Sequence, residues 1–212
     1  LVEEAIKKSG KTLDIMMIDD YERADISEQE VAEIPLRLED TACICYTSGT
    51  TGSPKGVMLS FTNIMENVKA ISVEVPIFDD ERRTLILLPL HHVLPLVGTA
   101  VMPMVIGGGV AICPSLSGPD IMATLKRGEV GIMIGVPRLW QTLFRGIKAK
   151  IDANALTRTL YNICDSVQSR SLSRLIFSSV HKKLGGHLDY CVSGGAALDS
   201  ETANGLKTLG LD

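Results

Sequence analysis

Between residues 84 and 119 the chain carries no Asp, Glu, Lys or Arg. Such a run is long enough to cross a bilayer core of about 30 Å. Its interior argues against a span, because Pro89, Pro95, Pro103, the pair His91-His92 and the triplet Gly107-Gly108-Gly109 interrupt it. The run divides instead into a strand over 84–88, a short buried helix over about 92–106 and a strand over 110–113. Apolar residues without alternation are what strands covered on both faces of a parallel sheet require.

The rest of the chain after Asp40 shows the same alternation of short apolar runs and amphipathic stretches. Residues 41–47 predict a buried strand, and Ser60 caps a helix to about 73. Pro119 suits the first turn of a helix to 127, residues 131–135 predict a strand, and Pro137 opens a helix to about 150. Leu156, Leu160, Ile163, Val167, Leu175 and Val180 recur at near-helical spacing. They predict one long or broken helix over 155–184, before a strand at 188–192 and a helix at 199–209. The fold class expected is therefore α/β, a mostly parallel sheet flanked by helices. Ahead of residue 41 the signals are weaker: a helix end at 1–8, a strand at 13–18, and a short helix whose Ser27 and Glu30 have capping-box spacing. Residues 1–40 thus read as an edge segment and 41–212 as the central portion.

Composition narrows the function classes. The 212 residues hold 21 Lys and Arg against 25 Asp and Glu, and aromatics make up only 4%. A net acidic chain poor in stacking rings is a weak nucleic-acid platform. The five cysteines lie mostly in apolar runs at spacings unlike zinc or redox motifs, which predicts reduced core residues. With no secretory signal visible, they predict a cytoplasmic location, peripheral at the membrane at most. Charge is unevenly placed: residues 126–183 hold 11 basic and 3 acidic side chains. Solvated helix faces opposite an apolar stripe are the first reading. Attraction to anionic membrane surfaces, or to the phosphates of a ligand, is the second.

The densest chemistry lies in Tyr46-Thr47-Ser48-Gly49-Thr50-Thr51-Gly52-Ser53-Pro54-Lys55-Gly56. Glycines let backbone approach a ligand closely, successive amides form a concave anion nest, and the hydroxyls add donors. Lys55 adds a point charge for phosphate oxygens. It is not a Walker A loop, since Gly56 stands where that motif needs Ser or Thr.

This segment resembles the phosphate-loop signature of the adenylate-forming (AMP-binding) superfamily, which includes acyl-CoA synthetases, luciferases and peptide-synthetase adenylation domains. Two further segments follow in the order that family requires. Leu88-Pro89-Leu90-His91-His92-Val93 is similar to its "LPL, aromatic, His" motif, with His92 at the His position and His91 where an aromatic or small residue is usual. Ser193-Gly194-Gly195-Ala196-Ala197-Leu198 is similar to its adenine-binding turn, with Ala197 in place of a proline. Gly135-Val136-Pro137-Arg138-Leu139-Trp140, and the long helical stretch up to Gly186, look like the long-chain fatty acyl-CoA synthetases. The resemblance is strong over 41–212 and loose over 1–40.

The resemblance implies a two-step ligase: a fatty acid carboxylate attacks the α-phosphorus of ATP, giving acyl-AMP and pyrophosphate, and the thiol of coenzyme A then displaces AMP. It implies ATP phosphate binding by Thr47, Ser48, Gly49, Thr50, Thr51, Gly52 and Lys55. It implies adenine binding by Ser193, Gly194, Gly195, Ala196 and Ala197, and a catalytic His92, whose other reading is a hydrogen-bonded core histidine. His91 reads as structural, and Arg138 equally as a helix-start ion pair. The family's Mg²⁺ ligand, expected beyond Asp212, its ribose-binding Asp and its C-terminal lid with a catalytic lysine have no counterpart here. The chain therefore reads as a middle portion of a synthetase, not expected to form acyl-AMP alone. Competing readings are an aryl or medium-chain CoA ligase, a peptide-synthetase adenylation domain, or a non-catalytic nucleotide- or partner-binding fragment.

Overall fold

The computed structural model describes residues 35–47 and 54–212, and the unit considered below is Arg37–Asp212. The elements expected before residue 35, and Ser48 to Ser53 of the glycine-rich segment, lie outside the described residues.

The first strands form a hairpin. β1 (Thr41–Thr47) pairs antiparallel with β2 (Lys55–Ser60), with Thr47 opposite Lys55 and a bulge between Thr41 and Cys43. This corrects the expectation of a buried strand at 41–47, since Ile44 and Tyr46 are exposed. β2 was not foreseen. Its six residues sit between a turn-rich segment and a helix cap, too short a run to show alternation. Ser60 then caps α1 (Phe61–Glu74): its hydroxyl accepts from the Asn63 amide at 3.2 Å, and Asn63 Oδ1 accepts from the Ser60 amide at 3.0 Å. That reciprocal pairing satisfies two donors otherwise orphaned at the helix start.

The main sheet is parallel, with β3 (Arg83–Ile86), β4 (Gly109–Ile112), β5 (Val130–Gly135) and β6 (Tyr190–Ser193) in the spatial order β4-β3-β5-β6. The chain steps outward from β3 to β4, then back past β3 to β5 and on to β6. Parallel crossovers are right-handed, so reversing direction moves the connecting helices to the other face. The β3–β4 connection, α2, spans residues 93–106: short α-turns at Val93–Pro95 and Met102–Ile106 enclose a π-helical stretch, Leu96–Val101. On the opposite face lie α3 (Gly118–Arg127), α4 (Pro137–Asp152), α5 (Ala155–Val167), α6 (Arg170–Ile176), α7 (Ser178–Lys183) and α8 (Ser200–Thr208). The helical pattern over 155–184 breaks where Gln168 takes a left-handed conformation (φ 51°) and Ser169 caps α6. Among the described residues no helix is long and apolar enough to cross a membrane.

Strand alternation divides the core. Leu85, Met133 and Cys191 share a register row and pack into the larger cluster with Trp140, Phe144, Leu125 and Leu184. Ile134 and Val192, one position on, line a cavity against α1 and α2. Each fully buried side chain such as Leu85 or Leu125 contributes about 1.5–3 kcal/mol relative to exposure. Trp140 Nε1 donates to the Val192 carbonyl at 3.3 Å, which ties the start of α4 to the end of β6.

Two expectations about surface and core need correction. All five cysteines are free, but only Cys164 is buried; Cys43 and Cys45 sit half-exposed on the hairpin. Cys191 is only partly exposed as a residue, but desolvation of its thiol in the core, with the neighbouring Asp212 carboxylate second, pushes its pKa up to about 12. The basic stretch is also not wholly a solvated face. Arg170 and Arg174 meet Asp189 at 3.3 and 2.9 Å, Arg170 also meets Asp212 at 3.0 Å, and Arg82 and Arg170 stack over Tyr190. These half-exposed pairs form a network at the start of β6, away from the carboxyl ends of the strands.

Candidate functional site

In an open parallel sheet, a crevice forms beyond the carboxyl ends of the strands where the winding direction reverses. Here that point lies between β3 and β5. Leu88, Pro89 and the run from His91 to Pro95, which follow β3, enclose a cleft of about 470 Å³ with Val136 after β5 and Gly195 after β6. Cys45, Tyr46 and Thr47 of the hairpin close its remaining side.

His92 occupies the N-cap position of α2 in an extended conformation. Its carbonyl accepts from the Leu96 amide at 3.0 Å, while its exposed side chain lines the cleft. The core-histidine reading is thereby corrected. His91 lines the same cleft, its ring centroid 4.2 Å from that of His92. Sequence had set His91 aside for departing from a motif; the chain's exit from β3 into the crevice was the signal available.

Thr47 and Lys55 form the cross-strand pair at which the hairpin opens into the glycine-rich segment, and Thr47 Oγ1 donates to the Lys55 carbonyl at 3.5 Å. Thr47 lines the cleft, whereas Lys55 is exposed on the strand beside it. Ser48, Gly49, Thr50, Thr51 and Gly52 lie outside the described residues.

The turn over 193–197 starts at the end of β6. The Gly194 amide donates to the Gly135 carbonyl at 3.1 Å, which holds the turn against β5. Gly195 then adopts φ +82°, a conformation that favours glycine, and Ala196 and Ala197 are exposed. Of the five residues only Gly195 lines the cleft itself. The Ser193 hydroxyl is buried with no partner among the described residues. Asp199 anchors the far end of the turn: its carboxylate accepts from the Thr202 amide (2.8 Å), the Thr202 hydroxyl (2.9 Å) and Gln141 Nε2 of α4 (2.8 Å). The Thr202 amide foremost, then Gln141 and the Thr202 hydroxyl, hold its pKa down to about 2.

A second, apolar cavity of about 330 Å³ adjoins the cleft, with Val93 and Leu94 lining both. Ile71 of α1, Phe78, Val97 and Gly98 of α2, and Ile134 of β5 line it. The π-helical stretch places Gly98 against the sheet, where an added Cβ would stand 2.8 Å from Ile134 Cδ1. Thr99 donates to the Pro95 carbonyl at 2.6 Å within the same stretch. Arg138, exposed in the first turn of α4, makes no ion pair with another described residue. Among the described residues no three His, Cys, Asp or Glu side chains gather as a metal site would require.

Residues 2–211 match the family of AMP-binding enzymes. The chain belongs to that family. Among its relatives are long-chain-fatty-acid–CoA ligase 3 of Saccharomyces cerevisiae, 32% identical over 184 residues, 81% of this chain and 26% of that protein. A feruloyl-CoA synthase from an Amycolatopsis species is 33% identical over 120 residues, 56% of this chain and 24% of the relative. The chain thus spans roughly a quarter to a third of the length of two long-chain ligases it matches (26% and 32%). The fold matches that of ATP-bound MatB from Rhodopseudomonas palustris (TM-score 0.57, 23% identity, 82% of this chain and 28% of MatB). It also matches a malonyl-CoA ligase with methylmalonyl-CoA and AMP bound (TM-score 0.61, 23% identity, 85% of this chain and 33% of the ligase). In this AMP-binding family member Thr47, His92 and Gly195 line the switch-point cleft.

Proposed function

We propose that this chain is the central part of an ATP-dependent ligase that activates a long-chain fatty acid as acyl-AMP and passes the acyl group to coenzyme A. The observation that carries the reading is the meeting of His92, Thr47 and Gly195 in one cleft beside an apolar cavity that shares Val93 and Leu94 with it. In this reading the segment from Thr47 to Lys55 holds the phosphates of ATP, with charge on the leaving pyrophosphate neutralised by Lys55 and backbone amides. The turn Ser193-Gly194-Gly195-Ala196-Ala197 offers a flat, small-residue surface to the adenine. His92 orients the attacking carboxylate, and Ile71, Phe78, Val97 and Ile134 receive the hydrocarbon. Mg²⁺ is expected to bind through a residue beyond Asp212.

The long-chain preference rests on the relatives, several of which are long-chain ligases. The feruloyl-CoA synthase supports an aryl acid as the second reading. ATP–pyrophosphate exchange by the enzyme containing this segment, with palmitate and ferulate as alternative acids, distinguishes them. Palmitate-dependent exchange lost in Lys55→Ala and reduced in His92→Ala is the expected result. Exchange with ferulate alone would select the aryl reading, and exchange indifferent to both substitutions would remove the cleft from the reaction. The 212-residue chain by itself is expected to give no exchange.

A further inference from the structure

A third cavity lies among the helices on the sheet face opposite α1 and α2. It has a volume of about 440 Å³, within the range of small-molecule sites. Leu143 and Ile147 of α4, Leu160 of α5, Ile176, and Val180 of α7 give it an apolar wall. Two cations stand at this wall, Lys150 at the end of α4 and Lys183 at the end of α7. Both are exposed, and neither makes an ion pair with another described residue. The hydroxyls of Thr142 and Thr157 donate to the Arg138 and Ile151 carbonyls of the helices themselves. The cavity therefore presents hydrocarbon inside and positive charge at its edge.

We propose that this cavity binds a single-chain fatty carboxylate, its alkyl chain among α4, α5 and α7 and its head group beside Lys150 and Lys183. The charge selects the head: among the described residues the charged side chains lining the cavity are Lys150 and Lys183, with no carboxylate beside them, so an anion is favoured over a cationic or neutral head. The apolar wall selects the tail, and solvent access at the lysines leaves the carboxylate hydrated while the chain is buried. The site is distinct from the switch-point cleft and does not depend on the reaction proposed above, because the sheet separates the two. Gly146 of α4 lines the cavity, and a Cβ built there meets nothing within 4 Å. Gly146 is itself exposed, so a large side chain is tolerated at that position and would narrow the cavity at its wall.

The test is calorimetric titration of the 212-residue chain with dodecanoate, dodecanol and dodecyltrimethylammonium, each below its micellar concentration. Circular dichroism melts establish that every variant is folded. Saturable binding of dodecanoate in preference to the other two is expected, weakened by salt. Lys150→Gln with Lys183→Gln should weaken dodecanoate about fivefold to tenfold, as two exposed ion pairs allow, and leave dodecanol unchanged. Gly146→Phe should abolish binding of both. Equal binding of all three amphiphiles, or dodecanoate binding that survives Gly146→Phe, would overturn the proposal; the latter would move the ligand to the switch-point cleft. Absence of binding to a cooperatively melting chain would overturn it as well, and would fit a cavity filled by other polypeptide.

Discussion

Leu94 closes the space above Gly194: a Cβ added to that glycine would stand 2.6 Å from Leu94 Cδ2. The first residue of the turn after β6 and the second residue of α2 are thus fitted to each other, and Leu94 lines both the cleft and the apolar cavity beside it. The obstructing atom is the far end of a flexible side chain. Gly194→Ala should therefore push Leu94 off its rotamer at a cost of about 0.5–1.5 kcal/mol while deforming the cleft. The expected outcome is a small fall in melting temperature with a clear loss of AMP affinity by calorimetry. Leu94→Ala in the same chain should restore affinity; failure to do so would separate the turn from the cleft.

Gly205 of α8 presents a different balance. A methyl group there would fall within the Phe144 ring, which is buried and held by the core around α4. Alanine is the better helix former by roughly 1 kcal/mol, but overpacking a core costs about 1–3 kcal/mol. Gly205→Ala should be net destabilising in urea unfolding, and in a Phe144→Leu background the same substitution should become neutral or stabilising. A stabilising Gly205→Ala in the parent chain would show that the Phe144 ring has room to rotate away.

The parallel sheet and its helices were legible because their signals are local. Runs such as 131–135 have one apolar character throughout, and Ser60, Pro119 and Pro137 mark helix starts by backbone chemistry alone. The hairpin was not, because β2 depends on pairing with β1 across seven intervening residues, and exposure of Ile44 and Tyr46 is decided by what packs on them. Motif resemblance supplied His92, Thr47 and Gly195 as separate fragments. Their meeting in one cleft follows from strand order, in which β3 and β5 are neighbours although β4 separates them in sequence. That His91, Val136 and Cys45 line the same cleft follows from strand order in the same way. The pairing of Arg170 and Arg174 with Asp189 likewise escaped composition, which records charge and not partners.

Asp199 links the turn after β6 to α8 and α4, and its depressed pKa has a definite sign. The folded state favours the carboxylate, so the stabilisation is fully present above the unfolded value of about 3.9 and is lost as pH falls towards about 2. Asp199→Ala should lower the melting temperature at neutral pH and have little further effect near pH 2. Asp199→Asn keeps a capping oxygen and should fall between the two. Melting curves recorded from pH 2 to 7 for the three chains provide the measurement; parallel curves at all pH values would refute the assignment.

His181 of α7 is buried, and its Nε2 donates to the Leu209 carbonyl at 2.8 Å while Nδ1 has no partner among the described residues. Burial lowers its pKa below the usual 6.5; the Leu209 carbonyl and Asp189 oppose that, and Arg174 and Arg170 reinforce it. The unfolded chain therefore binds a proton more readily than the folded one. Stability contributed by this group is fully present above about pH 6.5 and declines as pH falls below it, until the folded imidazole itself titrates. His181→Gln retains a donor for the Leu209 carbonyl but cannot be protonated. Although less stable at pH 7.5, by about 1–3 kcal/mol if the amide fits the site poorly, it should lose less stability than the parent between pH 7 and 5. Denaturant unfolding of both chains across that interval provides the measurement, and an equal loss in the two would exclude His181 as the group responsible.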